Sequence, residues 1–156
     1  KTEVGGVVVG LPGEDAVRAA WARLAPLPGF RGLLIEELVS GVEAIVGGRY
    51  DPQFGPVVML GVGGTGVEIY RDVALRLAPV TEAEAAAMLD ALTGVALFTG
   101  HRGSPPVDRA SLARLLVRFS DLLAALGDRV SSVDLNPVFC APDRCVIGDA
   151  RFLLEG

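Results

Sequence analysis

The sequence predicts an α+β fold, a mixed and mostly antiparallel sheet with helices packed on its face. Three observations carry that expectation. Apolar runs of strand length alternate with runs of helical spacing, which calls for a sheet and helices around one core. Several neighbouring strand runs are joined by short turn sequences, as in hairpins rather than the long crossovers of a parallel sheet. Finally, 51% of the 156 residues are hydrophobic and 21% are charged, enough apolar material for one filled core.

Taken in order, "VGGVVVGL" (Val4 to Leu11) reads as a strand. "GEDAVRAAWARLAPL" reads as an amphipathic helix, with Val17, Trp21 and Leu24 at helical spacing. "GLLIEELV" (Gly32 to Val39) reads as a strand ending in two carboxylates, "SG" as a turn, and "VEAIVGGRY" (Val42 to Tyr50) as its antiparallel return. "DPQFGP" is a loop by its Pro and Gly content, and "VVMLGVGG" is a strand running into a Gly-rich turn. "VEIYRDVALRLAP" is extended. Thr81 with Glu84 makes a capping box that starts a helix through about Leu92. "HRGSPPVD" is a loop. Asp108 then caps the strongest helix, whose apolar stripe is Leu112, Leu115, Leu116, Phe119, Leu122, Leu123 and Leu126, with Gly127 at its stop. A hairpin, "VDLNPVFCAPDRCVIGDA", closes the chain.

The formal charge is -5, and no Lys/Arg cluster with interleaved aromatics occurs. That argues against nucleic acid or an anionic membrane as the main partner. The mean hydropathy of +0.47 is high, which fits either a small, wholly buried core or apolar surface that packs against something else. No apolar run approaches the roughly 18 residues of a membrane-spanning helix, and no signal-peptide pattern is present. Two Cys are too few for a disulfide framework and point to a reducing cytoplasm. The chain opens at Lys1 already inside a strand-like run, so it is expected to be a fragment.

The closing hairpin carries the first chemical signal. With its turn centred on Pro142-Asp143, Ala141 faces Arg144, Cys140 faces Cys145, and Asn136 falls opposite Asp149. Opposed residues share a sheet face, with Cβ atoms about 4.5–5.5 Å apart. An amide oxygen and a carboxylate would then project together, and Mg²⁺ is a hard cation that one or two protein oxygens plus phosphates can hold. The plainer alternative is that Asn136 precedes a Pro and ends a strand, with Asp149 solvated.

"SSVDLNPVF…VIGDARF" resembles the closing hairpin of ATP-grasp acyl-CoA synthetases of the NDP-forming type, a family that includes the succinyl-CoA synthetase β-subunit. "KTEVGGVVVGL" resembles that family's "HKSDVGGV" segment, and "RYDPQFGPVVMLGVGGTGVEIYRDVALRLAP" is similar to its most distinctive block. The resemblance runs over nearly the whole chain and is strongest to ADP-forming acetyl-CoA synthetases and related acyltransferase-fused proteins. It implies that Asn136 and Asp149 ligate the Mg²⁺ of the nucleotide. It also implies that the stretch Glu36, Glu37, Leu38 and Val39 is the hinge beside adenine. There a carboxylate and a backbone C=O accept from the amino group, and a backbone N–H donates to the ring. Glu43 would take the ribose hydroxyls, since a carboxylate can accept from two donors. Read without the family, two adjacent Glu at a strand end are a solvated edge that discourages aggregation.

Other signals are weaker. "GVGGTG" (Gly61 to Gly66) lacks the Lys-Ser/Thr of a P-loop and reads as a tight turn with close backbone approach; in the family it would face an incoming phosphohistidine segment. Asp72 and Arg76 receive no role. His101, in a Gly/Pro-rich loop, reads as solvated. Cys140 and Cys145 read as reduced thiols able to cross-link on oxidation.

The resemblance makes the chain the back part of a single ATP-grasp module, residues 1–156. A front lobe with the phosphate-binding Lys, a CoA-binding domain or subunit and its phosphohistidine are expected as partners. The parent activity would be the conversion of acyl-CoA, ADP and phosphate to the acid, CoA and ATP, with ATP/ADP and Mg²⁺ as cofactors. The isolated piece is expected to be inactive, because phosphoryl transfer is mostly positioning and charge neutralisation. A homo-oligomer is compatible with the sequence. The alternative function is a non-catalytic nucleotide-sensing or docking module beside an acyltransferase domain.

Overall fold

Alternation along single strands sets the architecture. In β1 (Val42–Asp51), Ala44 and Val46 are fully buried, while Glu43 before them and Ile45 between them are not. The same two-residue period recurs in β2 (Gly55–Val62), where Val58 and Leu60 are buried. The structure is a computed structural model that describes residues 5–64, 72–101 and 103–154. It falls into two units, Lys1–Leu38 and Val39–Gly156.

The second unit holds a six-stranded sheet in the order β3-β2-β1-β4-β5, with β6 also paired to β4. The remaining strands are β3 (Val73–Leu77), β4 (Val130–Cys140), β5 (Cys145–Ile147) and β6 (Ala150–Leu154). Every pairing is antiparallel. The β1–β2 hairpin turns through Pro52–Phe54, where the Asp51 carboxylate accepts the N–H of Gln53 at 2.9 Å and of Phe54 at 3.1 Å.

Within this unit, α2 (Glu82–Asp90) starts at the expected capping box: Thr81 Oγ1 accepts from the Glu84 N–H and the Glu84 carboxylate accepts from the Thr81 N–H at 2.8 Å. It ends two residues short of Leu92, in a 3-10 turn (Thr93–Val95) and a single helical turn (Ala96–Thr99). Asp72 fixes that turn by accepting the N–H groups of Thr93 at 2.8 Å and Gly94 at 2.7 Å. Helix α3 (Arg109–Leu126) is capped by Asp108 and stopped by Gly127 at φ +59°. It buries Leu112, Leu116, Phe119 and Leu123 against the sheet. Leu123 lies so close to β1 that a Cβ on Gly48 would sit 2.1 Å from its Cδ1. Leu122, on the flank of the stripe, stays 41% exposed. No helix among the described residues is long and apolar enough to cross a membrane.

The first unit contains α1 (Glu14–Leu24), which buries Ala20 and Leu24. Trp21 meets Phe30 edge to face at 5.2 Å. Two expected strands are absent here. Residues 6–12 form no ladder, because Gly5 (φ 68°) and Gly10 (φ 71°) bend the run out of extended conformation, and Val9 is left 71% exposed. Residues 32–38 form no strand either, and β1 is not their return. Both edges of β1 are taken by β2 and β4, so no edge is left for a hairpin through Ser40-Gly41. Val67 to Arg71 of the expected extended run lie outside the described residues; its later part is β3.

Candidate functional site

Helices cover one face of the sheet, and alternate residues point to the other. That open face carries Glu43, Ile45 and Arg49 from β1, Met59 from β2, Leu75 and Leu77 from β3, and Asp134 and Asn136 from β4. It is apolar toward β3, where Leu75 is 54% and Leu77 57% exposed, and polar toward β4.

The register of the closing hairpin is the one counted from the sequence. Cys140 pairs with Cys145, Val138 with Ile147, and Leu135 with Ala150. Asn136 lies opposite Asp149, and its N–H donates to the Asp149 carbonyl at 3.1 Å. Both side chains are exposed. The Asp149 carboxylate accepts one N–H, from Ala150 at 2.9 Å, which leaves its other oxygen to solvent or a ligand.

A feature the count did not anticipate sets this pair. The β1–β4 register slips between Ala44/Val138 and Val46/Leu135, so Asn136 and Pro137 together oppose the single residue Ile45. Such a bulge bends the strand and re-aims a side chain. Pro137 is the sequence signal for it, because a Pro between two paired neighbours is tolerated only at a bulge. Gly148 completes the local fit. Its N–H donates to the Pro137 carbonyl at 2.8 Å, and a Cβ there would lie 2.7 Å from the Phe139 ring.

Glu43 sits on the same face, opposite Phe139 on β4. The Gly-rich run crosses it. The Gly63 N–H donates to the Glu43 carbonyl at 2.7 Å, and a Cβ on Gly63 would lie 2.7 Å from Glu43 Cβ. A Cβ added to Gly64, at φ +89°, would lie 3.9 Å from Glu43 Oε2, an ordinary contact. Close backbone approach is present at Gly61, still within β2, and at Gly63, while the turn expected through Thr65 and Gly66 lies outside the described residues. Glu43, Asn136 and Asp149 are therefore brought to one face of one sheet. Glu36, Glu37 and Leu38 lie in the first unit, exposed and outside any helix or strand, and Val39 opens the second. Asp72 is a capping residue, Arg76 is exposed on the edge strand β3, and His101 is exposed in its loop.

No group of three or more His, Cys, Asp or Glu among the described residues is placed to hold a metal. Asn136 and Asp149 offer two hard oxygens, which fits Mg²⁺ completed by phosphate and water and does not fit a soft metal. A groove of about 550 Å³ lies elsewhere, on the covered side between α3 and β5–β6, lined by Leu115, Leu122, Ile147 and Phe152 with Arg118 and Cys145.

The chain matches the family of ATP-grasp domains over residues 1–154, and it belongs to that family. Its relatives narrow the class to the nucleotide-binding part of ADP-forming acyl-CoA ligases. It is 34% identical over 162 residues to the beta subunit of acetate–CoA ligase [ADP-forming] I from Pyrococcus furiosus, covering 99% of this chain and 69% of that subunit. It is 36% identical over 155 residues to acetate–CoA ligase [ADP-forming] II from Archaeoglobus fulgidus, covering 99% of this chain but 23% of that protein. Among solved structures, it superposes with TM-score 0.83 and 36% identity on dinucleotide forming acetyl-coenzyme A synthetase 1 of Ca. Korarchaeum cryptofilum, over 99% of this chain and 70% of that one. That protein was solved with coenzyme A and Mg-AMPPCP, its phosphohistidine segment pointing towards the nucleotide binding site.

Proposed function

We propose that this chain contributes the nucleotide-holding sheet of an NDP-forming acyl-CoA synthetase, a ligase that converts acyl-CoA, ADP and phosphate to the free acid, CoA and ATP through a phosphohistidine. The observation that carries the reading is the bulge-set pair Asn136 and Asp149, on the same open face as Glu43, in a chain of this family. Asn136 and Asp149 would hold Mg²⁺, and Mg²⁺ bound to nucleotide neutralises charge on the phosphates. Asn136 presents a neutral amide oxygen and Asp149 a carboxylate, so the pair brings one negative charge to the phosphates. Glu43, flanked by Gly63 and Gly64, accepts from the ribose hydroxyls. The hinge from Glu36 to Val39 offers carboxylates and backbone groups to the adenine edge. A CoA-binding domain or subunit with the phosphohistidine, and a front lobe carrying the phosphate-binding Lys, complete the machine.

The test is ATP formation from acyl-CoA, ADP and phosphate by the whole protein with its partner domains. Asn136→Ala and Asp149→Ala should each lower it strongly at unchanged melting temperature. Wild-type turnover in either variant would remove the pair from the site.

A further inference from the structure

Cys140 and Cys145 face each other across the hairpin, outside the candidate site. Hydrogen bonds flank them on both sides: Ala141 N–H to the Arg144 carbonyl at 2.8 Å, and Gly148 N–H to the Pro137 carbonyl at 2.8 Å. Antiparallel pairs alternate between bonded and non-bonded, so Ala141/Arg144, Phe139/Val146 and Pro137/Gly148 are bonded positions and Cys140/Cys145 is a non-bonded one. Non-bonded pairs hold their Cα atoms about 4.5 Å apart, inside the span a disulfide accepts. The two thiols differ in surroundings. Cys140 is 1% exposed, in the core under the sheet. Cys145 is half-buried and lines the groove between α3 and β5–β6, where a small solute reaches it.

We propose that Cys140 and Cys145 are a peroxide-reactive dithiol, with Cys145 the attacking thiolate and Cys140 the resolving thiol. The Cys145 thiolate attacks one oxygen of a hydroperoxide. An S–O bond forms, the O–O bond breaks, and the alkoxide or hydroxide leaves and takes up the proton that Cys145 released on ionising, giving a sulfenic acid and an alcohol or water. The Cys140 thiol then attacks that sulfur. The S–S bond forms, the S–O bond breaks, and hydroxide leaves as water with the Cys140 proton. The pair loses two electrons and two protons, and the peroxide takes them.

The division of labour follows from the neighbours. A hydrogen bond with Cys140 lowers the Cys145 pKa, and Ser111 and the Arg114 guanidinium act in the same direction. Burial and the Asp108 carboxylate oppose them. The Asp108 carboxylate accepts from the Ser111 N–H at 2.9 Å and lies 3.8 Å from Arg114, whose positive charge offsets part of its field at Cys145. Arg118 is the other charged group lining the groove. The same hydrogen bond and burial push the Cys140 thiol up, which keeps its proton in place until the second step.

Treatment of the chain with hydrogen peroxide, read by intact mass without reductant, tests this. The expected product is a monomer lighter by two hydrogens, restored by dithiothreitol. Trypsin cuts after Arg144, so the two Cys fall on separate peptides, and a disulfide-linked pair of them identifies the bond. Cys140→Ser, or Cys140→Ala if the serine disturbs the core, should stop at a sulfenic acid that dimedone traps on Cys145. Cys145→Ser should leave Cys140 unreacted. Arg114→Gln should slow alkylation of Cys145 near pH 7 by about 2- to 5-fold and move its pH profile upward, at unchanged melting temperature. Intermolecular dimers, faster labelling of Cys140 than of Cys145, or no mass change would each overturn the proposal.

Discussion

The covered and open faces of the sheet are built from alternate residues of the same strands. On the covered face, Ala44, Val46, Val58, Leu60, Val133, Leu135 and Val138 are all 6% exposed or less. On the open face, one residue along in each case, stand Glu43, Ile45, Met59, Asp134 and Asn136, partly or wholly accessible. The contrast teaches how one strand serves two demands. A period of two lets packing and ligand chemistry change independently, provided the register holds. Substitutions on the covered face should therefore appear in stability, and those on the open face in nucleotide handling.

The largest effect belongs to the covered side. Phe98 is fully buried in the cluster beneath the sheet, so Phe98→Ala should cost about 3–5 kcal/mol. Denaturant titration reads it as a lower midpoint at unchanged slope. A loss under 1 kcal/mol would mean that this face is not the core.

Asn136→Ala and Asp149→Ala probe the opposite pole. Each should lower turnover by about 100-fold or more, since a metal ion on phosphate is worth several kcal/mol. Stability should move by no more than about 0.5 kcal/mol, as for other exposed positions. A comparable fall in stability would break the separation of the two faces.

Glu43→Ala sharpens the comparison within the open face. Removing a charged acceptor from two hydroxyl donors should cost about 1.5–3 kcal/mol, roughly 10- to 150-fold in nucleotide KM, with kcat largely kept. Wild type should bind 2′,3′-dideoxy-ATP as poorly as the variant binds ATP. If the variant still prefers ATP by the wild-type ratio, the ribose contact lies elsewhere.

What the sequence made legible follows the same division between local and distant causes. The Asn136/Asp149 opposition could be counted because Pro142-Asp143 fixes the turn, and each pair then follows by arithmetic. The Thr81 capping box and the Asp108 cap are likewise short-range. The β1–β4 pairing is not legible in the sequence, because Val42 meets Cys140 from 98 residues away, and the return of Gly32–Val39 expected for β1 is the wrong partner. The bulge at Asn136–Pro137 depends on that distant pairing. The crossing of Gly63 over Glu43 instead continues the β1–β2 hairpin register one step beyond Ala44 and Val62. The runs at Val4–Leu11 and Gly32–Val39 have strand composition, but composition does not supply a ladder partner. Asp72 was opaque for a similar reason: its partners, Thr93 and Gly94, lie about twenty residues away.

The smallest expected effect returns to the covered side and asks how far its helices depend on their ends. Helix α2 buries Ala85, Met88 and Leu89 and begins at Thr81. Thr81→Ala removes a side-chain acceptor from the first turn and should cost about 1 kcal/mol. The Glu84 carboxyl titrates below its ordinary range, chiefly because the Thr81 N–H donates to it, then because the Thr81 hydroxyl does, with Arg76 assisting. A carboxylate whose folded pKa is depressed stabilises the fold fully above its unfolded pKa. That contribution is lost as pH falls through the lower folded value. Stability of the wild type should therefore decline on acidification through and below the ordinary Glu range, and Glu84→Gln should lack that component of the decline. Thr81→Ala keeps the backbone donor, so it should retain part of the pH dependence. If Glu84→Gln and wild type fall in parallel with pH, the capping box does not hold the start of α2, and the helix relies on its buried face alone.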